Sequence, residues 1–151
     1  METPKIGLTV ESLERHERFL SRVVAGGSVW VLREPPSRGG GWVHSTSNGD
    51  RAGRGGGRPI VPMWSDRAYA RQCATRAWAK CVPVELPLAE FLSAVLPNMH
   101  KAKVLVGTNW NVHLIGHEIP PKKLLTQLQA EVKRTGITKA PDARRRKSSD
   151  S

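Results

Sequence analysis

Acidic residues and long apolar runs are what this chain has least of. It carries 13 Asp and Glu against 24 Lys and Arg, which leaves a formal net charge of +11 at pH 7. No stretch reaches the ~18 consecutive apolar residues that a membrane-spanning helix needs. Met1 to Leu8 holds no continuous apolar segment of the kind that leads a secreted chain. The expectation is a cytoplasmic protein with no membrane partner. Cysteine is nearly absent as well. Cys73 and Cys81 stand eight positions apart and match no zinc or redox spacing, so two free thiols are expected, with a local disulfide as the alternative. Aromatic residues make up only 5%, which weighs against a module that reads nucleic acid by base stacking.

The basic surplus is unevenly placed. Lys139, Arg144, Arg145, Arg146 and Lys147 crowd the end of the chain, and Arg38, Arg51, Arg54 and Arg58 fall in a glycine-rich stretch. At 151 residues the chain has room for one domain. That domain is expected over residues 1–138, with a flexible Gly/Arg-rich loop at 37–58 and a disordered basic tail at 139–151. Glycine loses the most backbone freedom on ordering, which keeps such a loop open.

Between these parts the patterning alternates. Leu13, Leu20, Val23 and Val24 recur at helical spacing, with His16 and Phe19 beside them, and Gly26 and Gly27 close the helix. Ser28 to Leu32 is a short apolar strand, and Trp42 to Thr46 a modest one, read as part of a hairpin. Pro59 to Trp64 is a further strand, leading into a helix from Asp66 that is expected to run to Ala79. Val82 to Leu86 alternates like an edge strand, where proline is tolerated. Pro87 opens a helix with Phe91, Leu92, Val95 and Leu96 on its buried face, which Pro97 is expected to end. Lys103–Thr108 and Asn111–Gly116 bracket Asn109 and Trp110 and predict a tight hairpin. Pro120 and Pro121 start a last helix with Leu124, Leu125, Leu128 and Val132 in its stripe, ended by Gly136. The sum is an α+β fold: a mixed, mostly antiparallel sheet with about four helices packed on it, expected on one face.

Several of these segments together carry a resemblance. Arg18-Phe19-Leu20 with Gly27 and Val29-Trp30-Val31-Leu32 sets it; Pro59-Ile60-Val61-Pro62-Met63-Trp64-Ser65 and Trp78 continue it. Leu86-Pro87-Leu88-Ala89-Glu90-Phe91-Leu92, Leu96-Pro97 and the late leucine helix complete it. In these the chain resembles the bacterial family of domain of unknown function 2750, over about Leu13 to Leu128. The resemblance implies the fold and carries over no catalytic residue. The glycine-rich stretch and the basic tail depart from the pattern.

Candidate chemistry is sparse. The glycine runs lack the strand before and the Lys-Ser or Lys-Thr after that a phosphate loop requires. His113 and His117 lie four apart, a spacing that joins ligands only on a helix. Neither cysteine sits in a motif with a positioned base. No catalytic residue, metal or cofactor is expected. Five tryptophans need places; Trp30, Trp64 and Trp78 fit core positions. Trp42 and Trp110 adjoin turns, and Trp110 is either folded onto the sheet or exposed as an anchor, with Asn109 and Asn111 beside it. Trp42, Trp110, Asn109 and Asn111 are the expected contacts for an unknown protein partner, in a non-enzymatic accessory role such as the immunity type. The alternative is nucleic acid held by Arg51, Arg54, Arg58, Arg144, Arg145, Arg146 and Lys147, since arginines spaced by glycines pair with phosphates.

Overall fold

The computed structural model describes residues 10–46 and 57–136. Helix α1 (Val10–Gly26) buries Ser12, His16, Phe19, Val23 and Val24, a stripe at three- and four-residue intervals that one helix face supplies. Gly27 ends it at φ +76, a left-handed conformation open to glycine, and its N–H returns to the Val23 carbonyl at 2.8 Å. The chain enters β1 (Ser28–Arg33) and turns through a short 3-10 helix (Pro36–Arg38). It comes back alongside β1, with Glu34 N–H on the Gly41 carbonyl at 2.7 Å and Val43 N–H on the Leu32 carbonyl at 2.8 Å. The first part of the expected flexible loop is therefore built onto the sheet. Arg51 and Arg54 within that loop, and the tail with Arg144, Arg145, Arg146 and Lys147, lie outside the described residues.

Strand β2 (Ser45–Thr46) pairs antiparallel with β3 (Pro59–Met63), as a hairpin requires. Helix α2 (Arg67–Cys73) is shorter than expected. The backbone leaves helical space at Ala74, and a 3-10 turn (Arg76–Trp78) swings Trp78 inward, a use of tertiary packing that periodicity over Ala68 to Ala79 does not report. Strand β4 (Val82–Pro87) pairs only with β1, over six residue pairs, so its two prolines cost no second ladder.

Helices α3 (Leu88–Glu90) and α4 (Leu96–Ala102) are joined without a break by a π-helical turn (Phe91–Val95). Pro97 does not end this rod. Proline lacks the N–H for the carbonyl four residues back, here Ser93, and its ring crowds that carbonyl. The wider π turn immediately before it accommodates both, and Leu96 and Met99 stay buried beyond it. The left-handed Lys103 then closes the rod (φ +60). Strand β5 (Leu105–Thr108) runs parallel to β3, and β6 (His117–Ile119) antiparallel to β5. The expected tight hairpin is thus corrected: the second strand begins at His117, and residues 109–116 form a loop. Helix α5 (Pro121–Thr135) ends at left-handed Gly136.

The fold is α+β, with four helical units, a two-stranded antiparallel sheet β1-β4 and a mixed sheet β2-β3-β5-β6. Bridges Trp30 to Trp64 and Arg33 to Trp42 tie the two together. Helices cover both faces, not one. Val29 and Val31 of β1 face a core shared with Phe19, Phe91, Leu96, Leu124 and Leu128. The alternate residues Trp30 and Leu32 face a second core with Trp64, Ala70, Cys73 and Trp78. A strand's period of two puts successive side chains on opposite faces, and each fully buried side chain of this size contributes roughly 1.5–3 kcal/mol.

Candidate functional site

All five buried polar residues among the described residues, Ser12, His16, Ser65, Thr108 and Asn109, gather where the inner face of α1 meets the carboxyl ends of the parallel strands β3 and β5. Open α/β sheets bind ligands at such strand ends. Here the protein's own side chains fill the place. Asn109, 2% exposed, takes φ +48, a left-handed geometry that asparagine tolerates. Its N–H bonds the Met63 carbonyl at 2.9 Å. Its Oδ1 accepts from the Ser65 N–H at 2.8 Å, and its Nδ2 donates to Ser65 Oγ at 3.1 Å and to the Arg15 carbonyl at 3.3 Å. Arg15 answers by donating to the Asn109 carbonyl at 3.1 Å, the Ile115 carbonyl at 3.3 Å and Ser12 Oγ at 3.2 Å. Ser65 Oγ donates to Asp66 at 2.6 Å, and Arg22 reaches the same carboxylate at 2.8 Å. That guanidinium holds the Asp66 carboxyl below its usual range.

Trp110 lies inward, 5% exposed, so of the two readings open in the sequence the packed one holds. Its indole N–H donates to the His117 carbonyl at 3.1 Å, and its carbonyl accepts from Trp64 Nε1 at 3.1 Å. Gly107 and Gly116 flank the ring so closely that a Cβ added to either would stand 2.4 or 2.3 Å from it. Neither Trp110 nor Asn109 is accessible to a partner, and Trp42 is half-buried, bridged to Arg33. The expectation of Asn109 and Trp110 as direct contacts is therefore replaced. They form the base on which the rest of the loop stands.

Asn111 shapes that remainder. Its Oδ1 accepts from the His113 N–H at 2.9 Å and the Ile115 N–H at 3.2 Å. Its backbone N–H bonds the Ile115 carbonyl at 3.0 Å, and its carbonyl accepts the Leu114 N–H at 2.9 Å. The five-residue turn is closed on itself and held from below by Arg15. At its tip Val112 (45% exposed), His113 and Leu114 (39%) face solvent. Leu114 is left-handed at φ +61, a geometry that costs a leucine about 1–2 kcal/mol. Of the expected contact set, Asn111 is thus the residue that organises an exposed surface.

Beside this network His16 Nδ1 meets Thr108 Oγ1 at 2.8 Å, and Nε2 meets Gln127 Oε1 at 2.7 Å. The His16 and His117 rings lie 4.3 Å apart. Burial first, then the His117 and Lys123 charges, keep His16 below its usual pKa, against a raising effect of the Gln127 bond. Among the described residues no group of three His, Cys, Asp or Glu side chains is placed to hold a metal. Cys73 donates its thiol to the Trp110 and Asn111 carbonyls at 3.4 and 3.3 Å, and burial pushes its pKa up to about 11. Both cysteines are free and buried. Arg58 is exposed and donates to the Lys103 carbonyl at 3.2 Å. No helix among the described residues is long and apolar enough to cross a membrane.

Sequence reasoning missed Arg15, Ser12, Ser65, Thr108 and Gln127. A signal existed for one pair: Ser12 and His16 fall on the same helical stripe as Phe19 and Val23, which places two polar groups on a buried face. Their partners come from remote segments that no spacing connects.

A family model described as "Protein of unknown function (DUF2750)" matches residues 16–128, from His16 in α1 to Leu128 in α5. No curated protein and no solved structure matches the chain.

Proposed function

This chain belongs to the DUF2750 family, and we propose that it is a non-enzymatic accessory protein, of the immunity type, that works by protein–protein contact through the Val112-His113-Leu114 tip. The observation that carries this reading is the closed Asn111 turn, which presents two apolar side chains to water on a preformed backbone. An ordered loop loses little further freedom on binding, so its apolar area converts efficiently into affinity. Residues held in sparsely populated backbone geometries cluster at functional sites, and the left-handed Leu114 is what sets this tip apart from the other exposed apolar side chains. The polar side chains nearby are spent on one another, and the Cys73 thiol stays protonated at neutral pH, which supports binding over reaction.

The test is the double substitution Val112→Ser and Leu114→Ser. Both side chains are exposed, so the thermal midpoint should stay close to that of the wild type. A stoichiometric partner that co-purifies with the wild-type chain should bind the variant at least about tenfold more weakly, as expected when anchor side chains are removed. Undiminished binding of that partner would reject the reading.

A further inference from the structure

Strand β4 is the open edge of the two-stranded sheet, with no second strand beside it among the described residues. Its register with β1 decides which backbone groups face outward. In an antiparallel ladder, pairs that exchange hydrogen bonds alternate with pairs that do not. The Leu88 N–H reaches the Gly27 carbonyl at 2.8 Å, which makes the next bonded pairs Val29 with Leu86, Val31 with Val84 and Arg33 with Val82. The far side of β1 agrees with this parity. Trp30 exchanges bonds with Trp64 at 2.8 and 2.9 Å, and the Leu32 carbonyl accepts from Val43 at 2.8 Å, so these alternate residues point away from β4. Pro83, Glu85 and Pro87, which stand opposite Leu32, Trp30 and Ser28, therefore turn their backbone groups to the outer edge. Proline has no N–H, so of these three positions Glu85 alone carries a donor.

We infer that Pro83, Glu85 and Pro87 close the β4 edge to strand addition, above all to addition of a second copy of this chain. An unpaired edge is a template for another strand, and proline and charge are what discourage it. Two β4 strands laid antiparallel about a two-fold axis at Glu85 would set Pro83 of one copy opposite Pro87 of the other. Both such pairs keep their carbonyls and lack every N–H that should meet them. At the axis the two Glu85 side chains would stand directly opposite each other, and like charges so placed destabilise a ladder.

The edge is within reach of such a partner. Val82, Glu85 and Pro87 are exposed, and Pro83 and Val84 are half-buried. Six residue pairs with β1 keep the strand extended, so it would be a ready template if its donors were present. Edge closure stands independently of a contact at the Val112–Leu114 tip.

The experiment joins amide exchange of the full chain to light scattering of variants with the edge opened. In the wild type the Glu85 N–H should exchange at least about tenfold faster than those of Val84 and Leu86, which are bonded to β1. Pro83→Thr with Pro87→Thr restores the missing donors and suits a strand. The mass of this variant should rise with concentration to at least about twice the wild-type value, with the Glu85 N–H now protected. Because Pro87 precedes α3, Pro83→Thr alone serves as a second variant and should associate in the same way, more weakly. Pro36→Thr, exposed and outside the strands, should keep the wild-type mass. Wild-type mass in both edge variants would overturn the inference, and so would association that leaves Glu85 exchanging fast. Equal association of the Pro36→Thr chain, or slow exchange of Glu85 in the wild type, would overturn it as well.

Discussion

His16 shows what a single buried titratable group does to a small basic protein. Both its nitrogens are engaged, by Thr108 and Gln127, and a second imidazole lies 4.3 Å from its ring. Burial is the main reason its folded pKa lies below the ordinary histidine value of 6.5. The sign follows directly. Between the depressed folded value and 6.5 the unfolded chain binds more protons than the folded one, so stability rises with pH across that window. Above it the histidine is neutral in both states and contributes no slope. Stability measured by urea unfolding should therefore fall as pH drops below about 6.5, and His16→Gln should flatten that part of the profile. Glu118, whose pKa burial raises, works in the opposite direction, so the comparison with the variant isolates the histidine. An identical slope in wild type and variant would contradict this assignment.

Among elements, the connection between α1 and the 109–116 loop is the most consequential. Arg15 spends its guanidinium on two loop carbonyls and on Ser12, and its own carbonyl accepts from Asn109. The clasp is reciprocal, with donors and acceptors on both segments. Arg15→Ala should cost about 1–3 kcal/mol, the range for lost hydrogen bonds to a charged donor and for carbonyls left short of a partner. Amide exchange at Leu114 and Ile115 should speed up, because the turn loses its support. Unchanged exchange there would show that Asn111 alone closes the turn. The rod from α3 to α4 makes the complementary point. The apolar stripe of Phe91, Leu92, Val95 and Leu96 was legible, but its continuation through Pro97 was not. A proline predicts a stop unless packing rewards continuation, and buried Leu96 and Met99 provide that reward.

At the scale of the whole molecule, the sheet carries a core on each face. The second core, around Trp64, Trp78 and Leu32, holds both thiols. Cys73 is 2% exposed and Cys81 5%, and burial raises both pKa values. A thiol-specific reagent should therefore label neither cysteine in the folded protein, and both should react together once denaturant unfolds it. Fast labelling of either under native conditions would mean that this core opens separately from the other. The net charge of +11 favours anionic partners generally.

Local features were legible from the residues alone: α1 and its glycine stop, β1, β3, β4, the start of α5, and the α+β class. Each rests on a periodicity or on a residue whose backbone preference acts within a few positions. The sequence also singled out Asn109, Trp110 and Asn111 as contacts, and the fold buries the first two. Tertiary structure alone decided that Trp110 lies between Gly107 and Gly116, that the second strand waits until His117, and that α2 stops early. It also joined Arg15 to residues about a hundred positions away. These outcomes depend on which remote surfaces meet and on what volume they leave, and local propensity has no access to either.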